Sequence, residues 1–188
     1  MINVFIRKIE ELSEEESNRI VSSLSKKAQA HLDKKRNVVL HLSSLCALSL
    51  LTDEQRADLD YTESCRPNFA TLDNDISISH SRSFCVVAIS NSKDQYVGID
   101  IEDCALASNI HTRFFTENER AKIESGASAI EIWTKKEALF KYLKNDNIQF
   151  MHLDSTVPEI YDAKFITLAI EDNILTVCSK KETMIQII

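Results

Sequence analysis

Val97-Gly98-Ile99-Asp100-Ile101-Glu102 alternates apolar with small or acidic residues, and Trp133-Thr134-Lys135-Lys136-Glu137-Ala138-Leu139-Phe140-Lys141, about thirty residues later, has the period of a helix. The first run is a strand with Val97, Ile99 and Ile101 on one face and Gly98, Asp100 and Glu102 on the other. At roughly 3.3 Å per residue the two carboxylates stand about 6.6 Å apart. They repel by about 0.6 kcal/mol in water and by about 2.5 kcal/mol at an effective dielectric near 20. On a wet strand face such a pair is harmless; in a cleft it needs a cation.

The helix adds a third carboxylate. On a wheel centred on Trp133, Leu139, Ile132, Leu143, Ala129 and Phe140 fill one sector, and Lys136 falls inside it. An ammonium there either snorkels to water or meets an anion, because burying it unpaired costs several kcal/mol. Glu137 and Lys141 flank the apolar sector, as a surface pair four residues apart or as a cleft wall. Three carboxylates among basic residues suggest a divalent metal holding a phosphorylated substrate, since Mg²⁺ takes a few carboxylates with phosphate oxygens and water.

A chain of 188 residues that is 44% hydrophobic has ample core for one large domain or two small ones. Two Gly and two Pro argue against a turn-dense all-β sandwich and against a Gly-rich phosphate loop. The five cysteines, Cys46, Cys65, Cys85, Cys104 and Cys178, are scattered and never in Cys-x-x-Cys spacing, so they read as small core residues in a reducing compartment. The first ten residues show no secretory pattern, and no apolar run is long enough to cross a membrane. A cytoplasmic protein without a membrane partner is expected. A net charge of −7 disfavours nucleic acid as a partner.

Along the chain, strands are expected at Asn3–Arg7, Ile76–Ile78, Phe84–Ser90, Val97–Glu102, Phe165–Ile170, Ile174–Cys178 and Met184–Ile188. Helices are expected from Ser13 to Ser22, from Lys26 to Leu51 as one long element, from Thr116 to Ser125 and from Ser128 to Lys144. Residues 60–75 read as loop. The order of elements nearly repeats, which gives an α+β fold of two similar halves, 1–93 and 94–188.

His80 in Ile78-Ser79-His80-Ser81, and Arg66 before Pro67, are unremarkable alone. Taken in order with Gly98-Ile99-Asp100, Glu102 and the Trp133–Lys141 run, the chain resembles the 4′-phosphopantetheinyl transferases, of the longer, surfactin-synthetase-activating type. Phe114-Phe115-Thr116-Glu117-Asn118-Glu119 is similar to that family's aromatic-x-x-Glu segment. Arg36 is similar to a basic position ahead of its N-terminal helix. Cys65-Arg66 stands where the family usually has Gly-Lys, and Lys144-Asn145-Asp146-Asn147-Ile148 lacks the glycines that often follow the last lysine.

The resemblance implies two halves related by a pseudo-two-fold, with one site at their interface in a monomer. It implies transfer of the phosphopantetheine arm of coenzyme A to a serine of an apo acyl, peptidyl or aryl carrier protein, with release of 3′,5′-ADP. It implies Mg²⁺ on Asp100, Glu102 and Glu137, with Glu137 relaying the serine proton and Lys141 meeting the pyrophosphate. His80, Arg66 and Arg36 would contact the phosphates and nucleotide, Lys136 a phosphate or Glu137, and the Trp133 ring would serve packing. Phe114 and Phe115 are candidates either for carrier docking or for the core. Two other readings use the same residues: a CoA- or carrier-binding domain with impaired turnover, and a metal-dependent pyrophosphate hydrolase.

Overall fold

In a computed structural model, which describes residues 1–145, 147–180 and 184–188, β1 (Ile2–Lys8) is followed by α1 (Glu14–Ser23), α2 (Lys26–Asp33), α3 (Val38–Ser49) and α4 (Asp53–Asp58). Then come β2 (Leu59–Tyr61), β3 (Pro67–Phe69), β4 (Ile76–His80), β5 (Phe84–Ser90) and β6 (Val97–Asp103). Two short 3-10 segments lead to α5 (Glu117–Glu124) and α6 (Ala129–Leu143), and the chain ends in β7 (Ala163–Ile170), β8 (Asn173–Lys180) and β9 (Ile185–Ile187). The architecture is mixed α+β, as expected.

Among the described residues every α-helix begins at a Ser, Thr or Asn whose side chain accepts from a backbone N–H of the first turn. One of these caps explains a difference from the sequence expectation. Lys26–Leu51 is two helices, because the Asn37 side chain accepts from the N–H groups of Val39 and Leu40 and starts α3 afresh. The apolar periodicity runs through both helices and hides the break. Helix α4 was not expected; Thr52 and Gln55 form its reciprocal capping box. Within the expected loop 60–75, β3 pairs antiparallel with β2.

The sheets have the orders β4-β5-β1-β9 and β6-β8-β7. In both, an opening strand (β1 or β6) lies antiparallel to the second strand of a later hairpin. Strand β9 breaks the parallel between the two sheets by joining β1 in parallel register, Ile2 opposite Ile185. Helices α1–α3 cover one face of the first sheet through Ile20, Leu32, Leu48, Val87 and Ile89. The other face meets the second sheet through Ile2, Val4, Val86, Ile99, Ile101 and Val177. Helix α6 covers the far side with Ala138, Leu139 and Cys178.

This layering fixes which way the acidic residues point. Ile99 and Ile101 are fully buried between the sheets, each burial worth about 1.5–3 kcal/mol. A one-residue slip of β6 would turn both out, so Asp100 and Glu102 are held on the α6 side. Gly98 allows the close approach: a Cβ there would lie 1.9 Å from the Ala138 carbonyl oxygen. Among the described residues no helix is long and apolar enough to cross a membrane.

Candidate active site

Strands β4 and β6 are facing sheet edges, joined by side chains rather than by a backbone ladder. The Val97 N–H donates to Asp75 Oδ2 at 2.9 Å and the Ile99 N–H to Ser77 Oγ at 3.1 Å. One step further, Ser79 Oγ donates to Asp100 Oδ1 at 2.8 Å. From α6, Lys141 Nζ reaches into this seam and donates to Asp100 Oδ1 at 2.7 Å, to Ser79 Oγ at 3.0 Å and to the Ile99 carbonyl at 3.0 Å. One turn on, Lys144 pairs with Asp75. Residues from both sheets and from α6 therefore meet at Asp100.

The Asp100 side chain is buried, yet Oδ2 has no hydrogen-bond partner among the described residues. Such an oxygen costs about 1–3 kcal/mol if left unmet. Burial, followed by the charge of Asp100, pushes both Glu102 and Glu137 up to about 7. The three expected carboxylates do come together electrostatically. Among the described residues no three His, Cys, Asp or Glu side chains are grouped tightly enough to hold a metal ion by themselves. An orphaned buried carboxylate oxygen beside two mutually repelling carboxylates nonetheless fits an oxygen-seeking divalent cation.

The raised pKa values have a direct consequence for stability. Both groups lie near 7 in the folded state against 4.5 unfolded, so the folded protein binds more protons between those values and loses stability as pH rises through the window. Without divalent metal, the wild-type Tm measured relative to a Glu102→Gln, Glu137→Gln variant should fall from pH 5 to pH 7.5. A difference that stays flat or grows with pH would refute the clustering.

Trp133, expected only to pack, also donates its indole N–H to Glu102 Oε1 at 3.2 Å. Phe115 is core and Phe114 half-buried, and both rings stand edge-on to the indole. Burial removes Phe115 as a docking residue. Phe114 lines an apolar hollow with Leu106, Ile110, Trp133 and Glu102.

Ser79 and Lys141, the partners of Asp100, also line a cavity of about 250 Å³ together with His31, Lys35, Tyr61 and His80 among others. His80 is depressed by burial and by the neighbouring charges of Lys35 and Lys141, and Lys35 by burial. Basic groups crowded so that they oppose the protonation of a buried histidine leave a place for an anion. The rings of His31 and Tyr61 stack at 3.8 Å along the wall. His80 and Lys141 both line this cavity. Arg66 instead lies over the Phe140 ring at 4.7 Å and donates to the Phe140 carbonyl. Arg36 is exposed beyond the lining, and the basic residue facing the cavity is its neighbour Lys35. Lys35, Ser77 and Ser79 were missed; for the serines only the period of two through Asp75, Ser77 and Ser79 hints at a common direction.

Lys136 meets an anion, as one branch of the sequence reading required, but not a phosphate. It is fully buried, donating to Glu119 Oε2 and to the Leu153 carbonyl, both at 2.6 Å. A phosphate contact is thereby corrected to an internal ion pair, because no part of Lys136 is exposed. Glu119 also accepts from Thr116, Ser155 N–H and Ser155 Oγ. Glu119→Gln should cost about 3–5 kcal/mol in chemical denaturation, since it strands a buried ammonium. A loss below about 1 kcal/mol would place Lys136 in contact with water.

Comparison with curated proteins gives no match. The sequence model of the 4′-phosphopantetheinyl transferase superfamily matches residues 96–182, the span that begins just before β6 and carries Gly98, Asp100, Glu102, Glu137 and Lys141. Over this span, just under half of its length, the chain is similar to the 4′-phosphopantetheinyl transferase superfamily.

Proposed function

We propose that the protein transfers the 4′-phosphopantetheine arm of coenzyme A to a serine of an apo carrier protein, releasing 3′,5′-ADP. The observation that carries this reading is the orphaned oxygen of Asp100, whose partners Ser79 and Lys141 line a cation-rich cavity and whose charge acts on two further carboxylates. His80 and Lys35 hold a phosphate of the nucleotide end in that cavity. Asp100, Glu102 and Glu137 would hold Mg²⁺, which supplies charge neutralisation on the pyrophosphate when bound. Lys141, fixed by Asp100, Ser79 and the Ile99 carbonyl, presents its ammonium to the same pyrophosphate and orients it for in-line attack. Glu137 takes the proton of the incoming serine Oγ as general base.

We further propose that the halves, 1–93 and 94–188, are related by a pseudo-two-fold and that the site forms within one chain acting as a cytoplasmic monomer of the longer type. The repeated sheet order supports the relation; β9 is the exception to the boundary. Incubation with coenzyme A, Mg²⁺ and a panel of apo carrier proteins, read by mass spectrometry, tests the whole reading. The carrier should gain the arm. Cleavage of CoA without a carrier would instead make the protein a hydrolase, and no change at all would leave a binding domain. In the same assay, His80→Ala should raise the KM for CoA about tenfold with little change in kcat, because the phosphate contact is made before the transition state. A change confined to kcat would move His80 into the chemistry.

A further inference from the structure

Trp133 and Glu137 stand four residues apart on α6, so one helix face delivers both to the acidic face of β6. The indole is clamped edge-on by Phe114 at 5.7 Å, Phe115 at 6.2 Å and Phe150 at 5.4 Å. Phe115 is itself core, so the clamp is anchored in the protein interior. A ring held this way presents its single N–H in one direction, and that direction is occupied by Glu102 Oε1 at 3.2 Å. Packing alone calls for an aromatic ring at this position, not for an N–H.

Glu102 needs such a partner. Its neighbour Asp100 is tied down by Ser79 and Lys141, and the negative charge of Asp100 pushes Glu102 away. Glu102 lies toward the end of β6 and is half-buried, without the ties that hold Asp100. We propose that Trp133 is a positioning residue: its indole N–H holds the Glu102 carboxylate inward, in the orientation from which it meets a divalent cation. The inference rests on the reading of Asp100, Glu102 and Glu137 as cation ligands. Hydrogen-bond donors behind a ligating carboxylate typically change metal affinity ten- to a hundredfold when removed.

Trp133 is also the only tryptophan in the chain, so its emission reports this contact directly. The test is a Mg²⁺ titration without carrier, followed by calorimetry and by tryptophan fluorescence in the wild-type protein. The wild type should bind Mg²⁺ with a matching change in emission, and Glu102→Gln should lose that emission change. Trp133→Phe, which keeps the ring and deletes the donor, should bind Mg²⁺ about tenfold more weakly by calorimetry. Its affinity for CoA without metal should be unchanged. Unaltered Mg²⁺ affinity in folded Trp133→Phe would overturn the proposal. If that variant does not fold, wild-type Mg²⁺ binding with no change in emission would overturn it equally. A wild type that binds no Mg²⁺ would instead bring down the assignment of the carboxylates, and the positioning role with it.

Discussion

Asp100→Asn is expected to lower carrier modification at least about a hundredfold at millimolar Mg²⁺ while leaving the protein folded. The side chain keeps its shape and its Oδ1, which accepts from Ser79 and Lys141. What changes is Oδ2, which has no partner among the described residues to lose. An amide NH₂ at that point is a donor where a cation would otherwise be drawn in, and the charge that anchors Lys141 disappears. Loss of one preorganised charge at a phosphoryl-transfer centre typically costs 10²–10³ in rate. The measurement is the rate of mass gain on an apo carrier, alongside the Tm of the same preparation. Near-wild-type turnover in a folded Asp100→Asn protein would sink the cation assignment.

Gly98→Ala should have the largest effect on stability of any single methyl addition in the second half, at least about 4 kcal/mol. The added Cβ would sit 1.9 Å from the Ala138 carbonyl oxygen and 2.6 Å from the Tyr142 nitrogen. Both are backbone atoms of α6, so no side-chain rotation can relieve the overlap. Helix α6 must lift off β6, and it carries Glu137 and Lys141 with it. Urea unfolding should show a large drop in midpoint, and any residual folded protein should have lost its Mg²⁺ dependence. A cost below about 1 kcal/mol would mean that α6 and β6 do not lie this close.

The sequence was most informative where a feature is local. Thr116 with Glu119, and Ser13 with Glu16, were readable as caps because a cap needs only its own first turn. The alternation through β6 told which residues share a face, and Lys136 within an apolar sector signalled a buried partner without naming it. Glu119 could not be identified as that partner from helical spacing, since it belongs to a different helix. Lys35 lost out to Arg36 for a similar reason. Which of two adjacent basic residues faces a cavity depends on the turn between α2 and α3, and the continuous apolar periodicity concealed that turn. The hydroxyls of Ser77 and Ser79 matter only because another sheet edge stands opposite them.

That opposition has a consequence for how the protein behaves in a crowded solution. A strand at the rim of a sheet exposes backbone groups that invite a foreign strand to add on, the first step of many aggregates. Here the two rims blunt each other. The outward N–H groups of Val97 and Ile99 are taken by Asp75 and Ser77, and the Ile99 carbonyl by Lys141. The residues that build the site thus also serve as gatekeepers against edge-to-edge association. Ser77→Ala would leave the Ile99 N–H without its partner in that seam, one residue from Asp100.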